Sequence, residues 1–173
     1  MPSANAIRQD EGVRFREKIL TWEQLPQWRA QVRASGKQLV VTNGCFDLLH
    51  AGHVSYLETA RTLGDMLLIG LNGDESVRKL KGAGRPVNAE QDRAAVLAAL
   101  ESVSAVCIFT DPSANEFLSI CQPDIYVKGG DYDVETIPQD ERRTVERAGG
   151  SIKFIPFVPG KSTTAILKQI AKL

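Results

Sequence analysis

Five short apolar runs, each separated from the next by a segment of helical spacing, constrain this chain more than any other feature. The runs lie at residues 38–42, 66–71, 105–109, 124–127 and 151–157. Apolar side chains recur at helical intervals over residues 51–63, 89–100, 113–121, 139–148 and 162–171. Such alternation predicts an α/β, Rossmann-like parallel sheet of about five strands with helices on both faces. Sheets of this kind bind ligands outside the carboxyl ends of their strands, near the switch in strand order. The loops that follow strands are therefore where chemistry is to be sought.

Ahead of the first run, Thr21 and Gln24 have capping-box spacing and open a helix through Trp28 and Val32, which Ser35-Gly36-Lys37 ends. Residues 1–18 show no clear period and read as a flexible arm; residues 19–173 read as one domain, with 19–36 its leading helix. A length of 173 residues suits a single core of ordinary size. Lys and Arg number 21 and so do Asp and Glu, giving no net charge. That balance argues against nucleic acid and against a polybasic membrane contact, while leaving room for a local cationic pocket. No apolar run approaches the ~18 residues that span a bilayer. Cys45, Cys107 and Cys121 form no CxxC pair, so a disulfide framework and a zinc site both lack support and a reducing cytoplasm is expected.

The first run leads into Thr42-Asn43-Gly44-Cys45-Phe46-Asp47-Leu48-Leu49-His50-Ala51-Gly52-His53. The chain's 2 histidines both fall here, at i and i+3 on the first turn of a helix, and so share a face. Gly52 between them has no side chain to block a ligand. The helix N-terminus adds free N–H groups and a positive dipole end, which favour phosphate. Two imidazoles there can donate hydrogen bonds to a phosphoryl group as its negative charge grows. The alternative, one histidine capping the helix and the other packing, explains the pairing poorly.

A second phosphate cradle opens the last helix at Gly160-Lys161-Ser162-Thr163-Thr164. It is not a Walker A loop, because Ile155 stands where that motif needs glycine. Ser162 also suits a plain N-cap, which does not exclude phosphate. Gly129 and Gly130, after the fourth run, permit close approach of backbone to a base or ribose.

His50-Ala51-Gly52-His53 after Gly44, Phe46 and Asp47 resembles the HxGH signature of the nucleotidyltransferase superfamily. Ser162-Thr163-Thr164 is similar to that superfamily's Ser-Thr-Thr motif. The set Asn43–Asp47, Arg85-Pro86-Val87-Asn88, Lys128-Gly129-Gly130-Asp131-Tyr132 and Ser162–Thr164 resembles its heptose 1-phosphate adenylyltransferase branch, over about residue 37 to the end. The resemblance implies transfer of AMP from ATP to D-glycero-β-D-manno-heptose 1-phosphate, giving ADP-heptose and pyrophosphate for lipopolysaccharide core synthesis. It implies Mg²⁺ carried on the ATP phosphates, a separate heptose kinase upstream and a homo-oligomer.

Carried over residue by residue, the resemblance implies catalytic roles for His50, His53 and Lys81. It implies nucleotide binding by Asn43, Gly44, Cys45, Phe46, Gly52, Lys79, Gly129, Gly130, Ser162, Thr163 and Thr164. Arg85, Asn88, Lys128, Asp131 and Tyr132 are candidates for the sugar phosphate, with Asp47, which is also placed to orient a histidine or approach the metal through water. Arg93 suits a structural ion pair as well as a phosphate. The neighbouring reading is a cytidylyltransferase acting on glycerol 3-phosphate or phosphoethanolamine. That branch carries an Arg-Thr pair where this chain has Phe157 and Val158, which counts against CTP. A reading of another class, a non-catalytic nucleotide-binding regulator, predicts binding without pyrophosphate release.

Overall fold

The computed structural model describes residues 14–130, 132–133, 135–156 and 162–172. Most of the expected arm, Asp131, Phe157, Val158, Gly160 and Lys161 lie outside the described residues.

Among the described residues six strands form one sheet: β1 (Ile19–Leu20), β2 (Leu39–Gly44), β3 (Met66–Asn72), β4 (Ala105–Phe109), β5 (Ile125–Gly129) and β6 (Ser151–Ile155). Their order is β1-β4-β3-β2-β5-β6, and every pairing is parallel. The sequence predicts the last five. The sixth, β1, escapes it because two residues carry no period; Ile19 and Leu20 pair with Val106 and Cys107 at the sheet edge. Just before it Arg16–Lys18 make a 3₁₀ turn, and Lys18 Nζ donates to the Leu100 carbonyl at 3.1 Å, so the expected arm is tied down by its last residues.

Among the described residues six α-helices connect the strands, α1 (Leu25–Ala34), α2 (Ala51–Arg61), α3 (Asp74–Lys81), α4 (Glu90–Ala98), α5 (Asn115–Cys121) and α6 (Gln139–Arg147), and a seventh, α7 (Thr163–Ile170), follows β6. The Thr21–Gln24 capping box forms, with Thr21 N donating to Gln24 Oε1 at 2.9 Å and Gln24 N to Thr21 Oγ1 at 3.3 Å. It closes a turn, and the helix proper starts at Leu25 with Pro26 in its first turn. Gly36, at φ +69°, ends α1 as the sequence predicts.

Strand side chains alternate between two cores. Leu39, Val41, Leu68, Cys107 and Tyr126 pack under α1, α5 and α6 through Leu25, Phe117, Leu118 and Val145. Val40, Leu67, Ile69, Val106 and Val127 pack under α2 and α4 through Leu57, Ala60, Ala94 and Leu97. Burial on both faces explains why these strands read as continuous apolar runs. Gly70 fits here for a packing reason, since a Cβ would meet the Phe117 ring at 2.5 Å.

Candidate active site

Chain order reverses at β2: β3 follows on one side, β5 on the other. β2 pairs with β3 along its whole length, to Gly44 opposite Leu71. With β5 it pairs only at Val40–Ile125 and Val41–Tyr126. Beyond that point the two strands part, and a crevice opens at their carboxyl ends, where ligands are bound in sheets of this type. Side chains bridge the parting on both faces. On one, the Tyr56 hydroxyl lies 2.7 Å from Thr42 Oγ1 and donates to the Val127 carbonyl at 3.2 Å. On the other, Lys128 Nζ donates to Asn43 Oδ1 at 2.9 Å. Gly129 lets Tyr56 pass, because a Cβ there would lie 2.9 Å from its ring.

α2 starts beside this crevice with His50 as its N-cap residue in extended conformation. The His50 and His53 rings stack at 3.9 Å and 20°, and Phe46 packs against His53 at 5.4 Å. Loss of hydration, with the His50 charge second, holds the His53 imidazole down to about 4 from an ordinary 6.5. His53 Nδ1 is sealed and unpaired among the described residues, so Nε2 is its accessible nitrogen. A neutral His53 imidazole at a helix N-terminus can take up a proton as an anion arrives, gaining a donor where charge is added.

The loop from β2 to α2 is locked by residues far along the chain. Asp47 is 5% exposed. Its Oδ1 accepts from Val87 N at 2.7 Å, and its Oδ2 pairs with Arg85 Nε at 3.0 Å. Asn88 Nδ2 donates to the Asp47 carbonyl at 3.3 Å. Asp47, Arg85 and Asn88 thus hold one another, and the expected orienting of a histidine by Asp47 finds no hydrogen bond among the described residues. Arg93, fully buried in its side chain, donates to the carbonyls of Asn88 and Cys45 and pairs with Asp74 at 2.8 Å. It fastens the β2 loop, the 85–88 segment and the start of α3 to one guanidinium, the structural role the sequence allowed it.

Ser162 caps α7, its Oγ accepting from Ala165 N at 3.1 Å, and Thr163 Oγ1 donates to the Leu48 carbonyl at 3.2 Å. The N-termini of α2 and α7 are thereby brought to the same end of the sheet. Thr164 is exposed beside them. Lys79 pairs with Glu75 one helical turn back at 2.9 Å, with both side chains more than half exposed. Lys81, at the C-terminus of α3, is exposed, and its charge bears on Cys45, whose thiol burial nonetheless pushes up. Gly130, at φ +91°, has its N–H on the Ile155 carbonyl at 3.0 Å.

Two residues of this region are absent from the sequence reading. Tyr126 and Glu141 are buried, and the tyrosine hydroxyl lies 2.6 Å from Asn43 Oδ1 and 2.8 Å from Glu141 Oε2. Glu141 stands four residues before buried Val145, on the core face of α6, a buried-charge signal that the spacing carries. Among the described residues no group of three or more His, Cys, Asp or Glu side chains is arranged to hold a metal ion. Nor is any of their helices long and apolar enough to cross a membrane.

Comparison with known proteins agrees with this architecture. The chain is 49% identical over 153 residues to the bifunctional protein HldE of Trichlorobacter lovleyi, covering 88% of this chain and 31% of that protein. It is 51% identical over 138 residues to the HldE protein of Pelobacter propionicus, covering 80% and 28%. The chain therefore spans less than a third of the length of these relatives. The crystal structure of a lipopolysaccharide core biosynthesis protein from Thermoplasma volcanium superposes with a TM-score of 0.59 at 25% identity, covering 71% of this chain and 98% of that one. The cytidylyltransferase-like family matches residues 41–169, from the strand that feeds the histidines to the end of the helix that Ser162 caps, and the chain belongs to that family.

Proposed function

We propose that the protein is a nucleotidyltransferase that moves AMP from ATP to D-glycero-β-D-manno-heptose 1-phosphate, releasing pyrophosphate and forming ADP-heptose for lipopolysaccharide core synthesis. The observation that carries this reading is the stacked His50–His53 pair at the N-terminus of α2, set where β2 and β5 part. The choice of a heptose phosphate is supported by the high identity to the HldE proteins and by the motif set around Asn43, Arg85, Lys128 and Ser162.

The sugar phosphate oxygen is already charged at neutral pH, so attack on the α-phosphorus needs no general base and no covalent enzyme intermediate. The work of the protein is positioning and charge stabilisation. His50 and His53 hold the α-phosphate and the departing pyrophosphate; Lys81, Ser162 and Thr163 hold the β- and γ-phosphates. Arg85, Asn88, Asp131 and Tyr132 are the residues assigned to the acceptor sugar phosphate. Mg²⁺ carried on the ATP phosphates, as part of the substrate, would offset their charge. A sugar kinase supplies the acceptor, residues 19–173 act as one domain in the cytoplasm, and the working form is a homo-oligomer.

The test is pyrophosphate release by the purified chain with Mg²⁺, comparing ATP with CTP and heptose 1-phosphate with glycerol 3-phosphate. Turnover confined to ATP with the heptose phosphate is expected. Turnover with CTP and glycerol 3-phosphate would replace the substrates and keep the histidine roles. Nucleotide binding without turnover on any pair would leave a binding protein.

A further inference from the structure

Where β2 and β5 separate, four side chains form a closed polar network. Glu141 Oε2 takes Lys128 Nζ at 2.9 Å and lies 2.8 Å from the Tyr126 hydroxyl. Its Oε1 accepts from Ala114 N at 3.3 Å. Lys128 Nζ also donates to Asn43 Oδ1 at 2.9 Å, and the Tyr126 hydroxyl approaches the same oxygen at 2.6 Å. Lys128 and Glu141 are 7% and 4% exposed, and the ammonium lies 5.2 and 5.3 Å from the centres of the Tyr126 and Tyr132 rings. Neutralised by Glu141 and boxed by two rings, Lys128 is held in place rather than free to follow a ligand.

An ammonium group has only donors, so the Asn43 atom that faces it is the amide oxygen, and the NH₂ end is turned away. Asn43 is half-buried, and no acceptor for that NH₂ exists among the described residues. An aspartate at this position would pair more strongly with Lys128, but it would turn an acceptor towards the crevice. An asparagine there turns a donor. We infer that Glu141, acting through Lys128 and Tyr126, is a positioning residue that fixes Asn43 as a hydrogen-bond donor to an oxygen of the bound nucleoside triphosphate. The inference rests on the proposed use of ATP: Asn43 stands on the strand that leads directly to His50 and His53. It assigns Lys128 an indirect role instead of contact with the sugar phosphate.

Calorimetric titration of the full chain with ATP and Mg²⁺ tests it, for the wild type, Asn43→Ala, Glu141→Gln and the double variant, with melting temperatures measured alongside. Asn43→Ala removes the donor without adding charge and is expected to weaken ATP binding about 10-fold or more, the scale of one hydrogen bond to a charged ligand. Glu141→Gln is expected to weaken it as well, and to cost nothing further once Asn43 is alanine, because both act through one amide. A merely structural Glu141 would instead add its loss to that of Asn43→Ala, and that result overturns the inference. ATP binding by folded Asn43→Ala at wild-type strength overturns it too, while leaving the proposed reaction standing. A wild type that does not bind ATP overturns both. If Glu141→Gln fails to fold, Tyr126→Phe, which keeps the ring in the core, takes its place in the cycle with the same expectations.

Discussion

Burial and the neighbouring His50 charge hold His53 neutral until about pH 4, whereas an unfolded chain protonates the same imidazole near pH 6.5. Between these values the unfolded state binds a proton that the folded state refuses. Stability from this group is therefore full above pH 6.5 and is lost as the pH falls towards 4. His53→Ala should accordingly lose less melting temperature than the wild type between pH 7 and pH 4.5, read by thermal denaturation. The same variant at pH 7.5 should keep its fold and lose about two orders of magnitude in kcat, the scale for removing one transition-state donor. An unchanged kcat in the folded variant would remove His53 from the proposed mechanism. The histidines were legible because they lie on one helical turn after one strand, and local spacing is what a sequence displays. Tyr126 and Glu141 were not, since the amide they serve lies 83 residues from the tyrosine and an ionic helix such as α6 masks its one buried carboxylate.

At the scale of elements, the site is held less by the helices that carry its groups than by the segment between α3 and α4. Residues 85–88 grip Asp47 through Arg85, Val87 and Asn88, and Arg93 reaches from α4 to the Cys45 carbonyl. Replacing Arg93 by methionine keeps most of the volume but leaves Asp74 and two carbonyls without their partner. The expected cost is about 3 kcal/mol, the low end for breaking a buried ion pair, visible as a lower urea midpoint. ATP affinity should fall with it, because the loop that leads to His50 loses its anchor. The central strands were readable as apolar runs because they are buried on both faces. β1 was not, and α3 gives only a short pattern between its flanking glycines, Gly73 and Gly82. Cooperation among Asp47, Arg85 and Arg93 is invisible in a linear reading, since Arg93 and the Cys45 carbonyl it holds lie 48 positions apart.

Across the whole molecule, stability is graded from the middle of the sheet outwards. β3 is paired on both sides and buried from Leu67 to Asn72, whereas β1 offers two residues and β6 is exposed or half-buried from Ser151 to Phe154. Amide hydrogen exchange should run slowest in β3 and fastest among strands in β1, with β6 between them. Equal protection across all six strands would contradict that gradient. One contact adds a dimension of time. The Thr163 hydroxyl closes onto the Leu48 carbonyl across 115 positions of sequence. A nascent chain that has left the ribosome as far as Ile155 already contains all six strands, yet the cradle beside its histidines still lacks α7. The hydroxyl-rich turn at Ser162 and Thr163 therefore joins the histidines only after every strand of the sheet has been made.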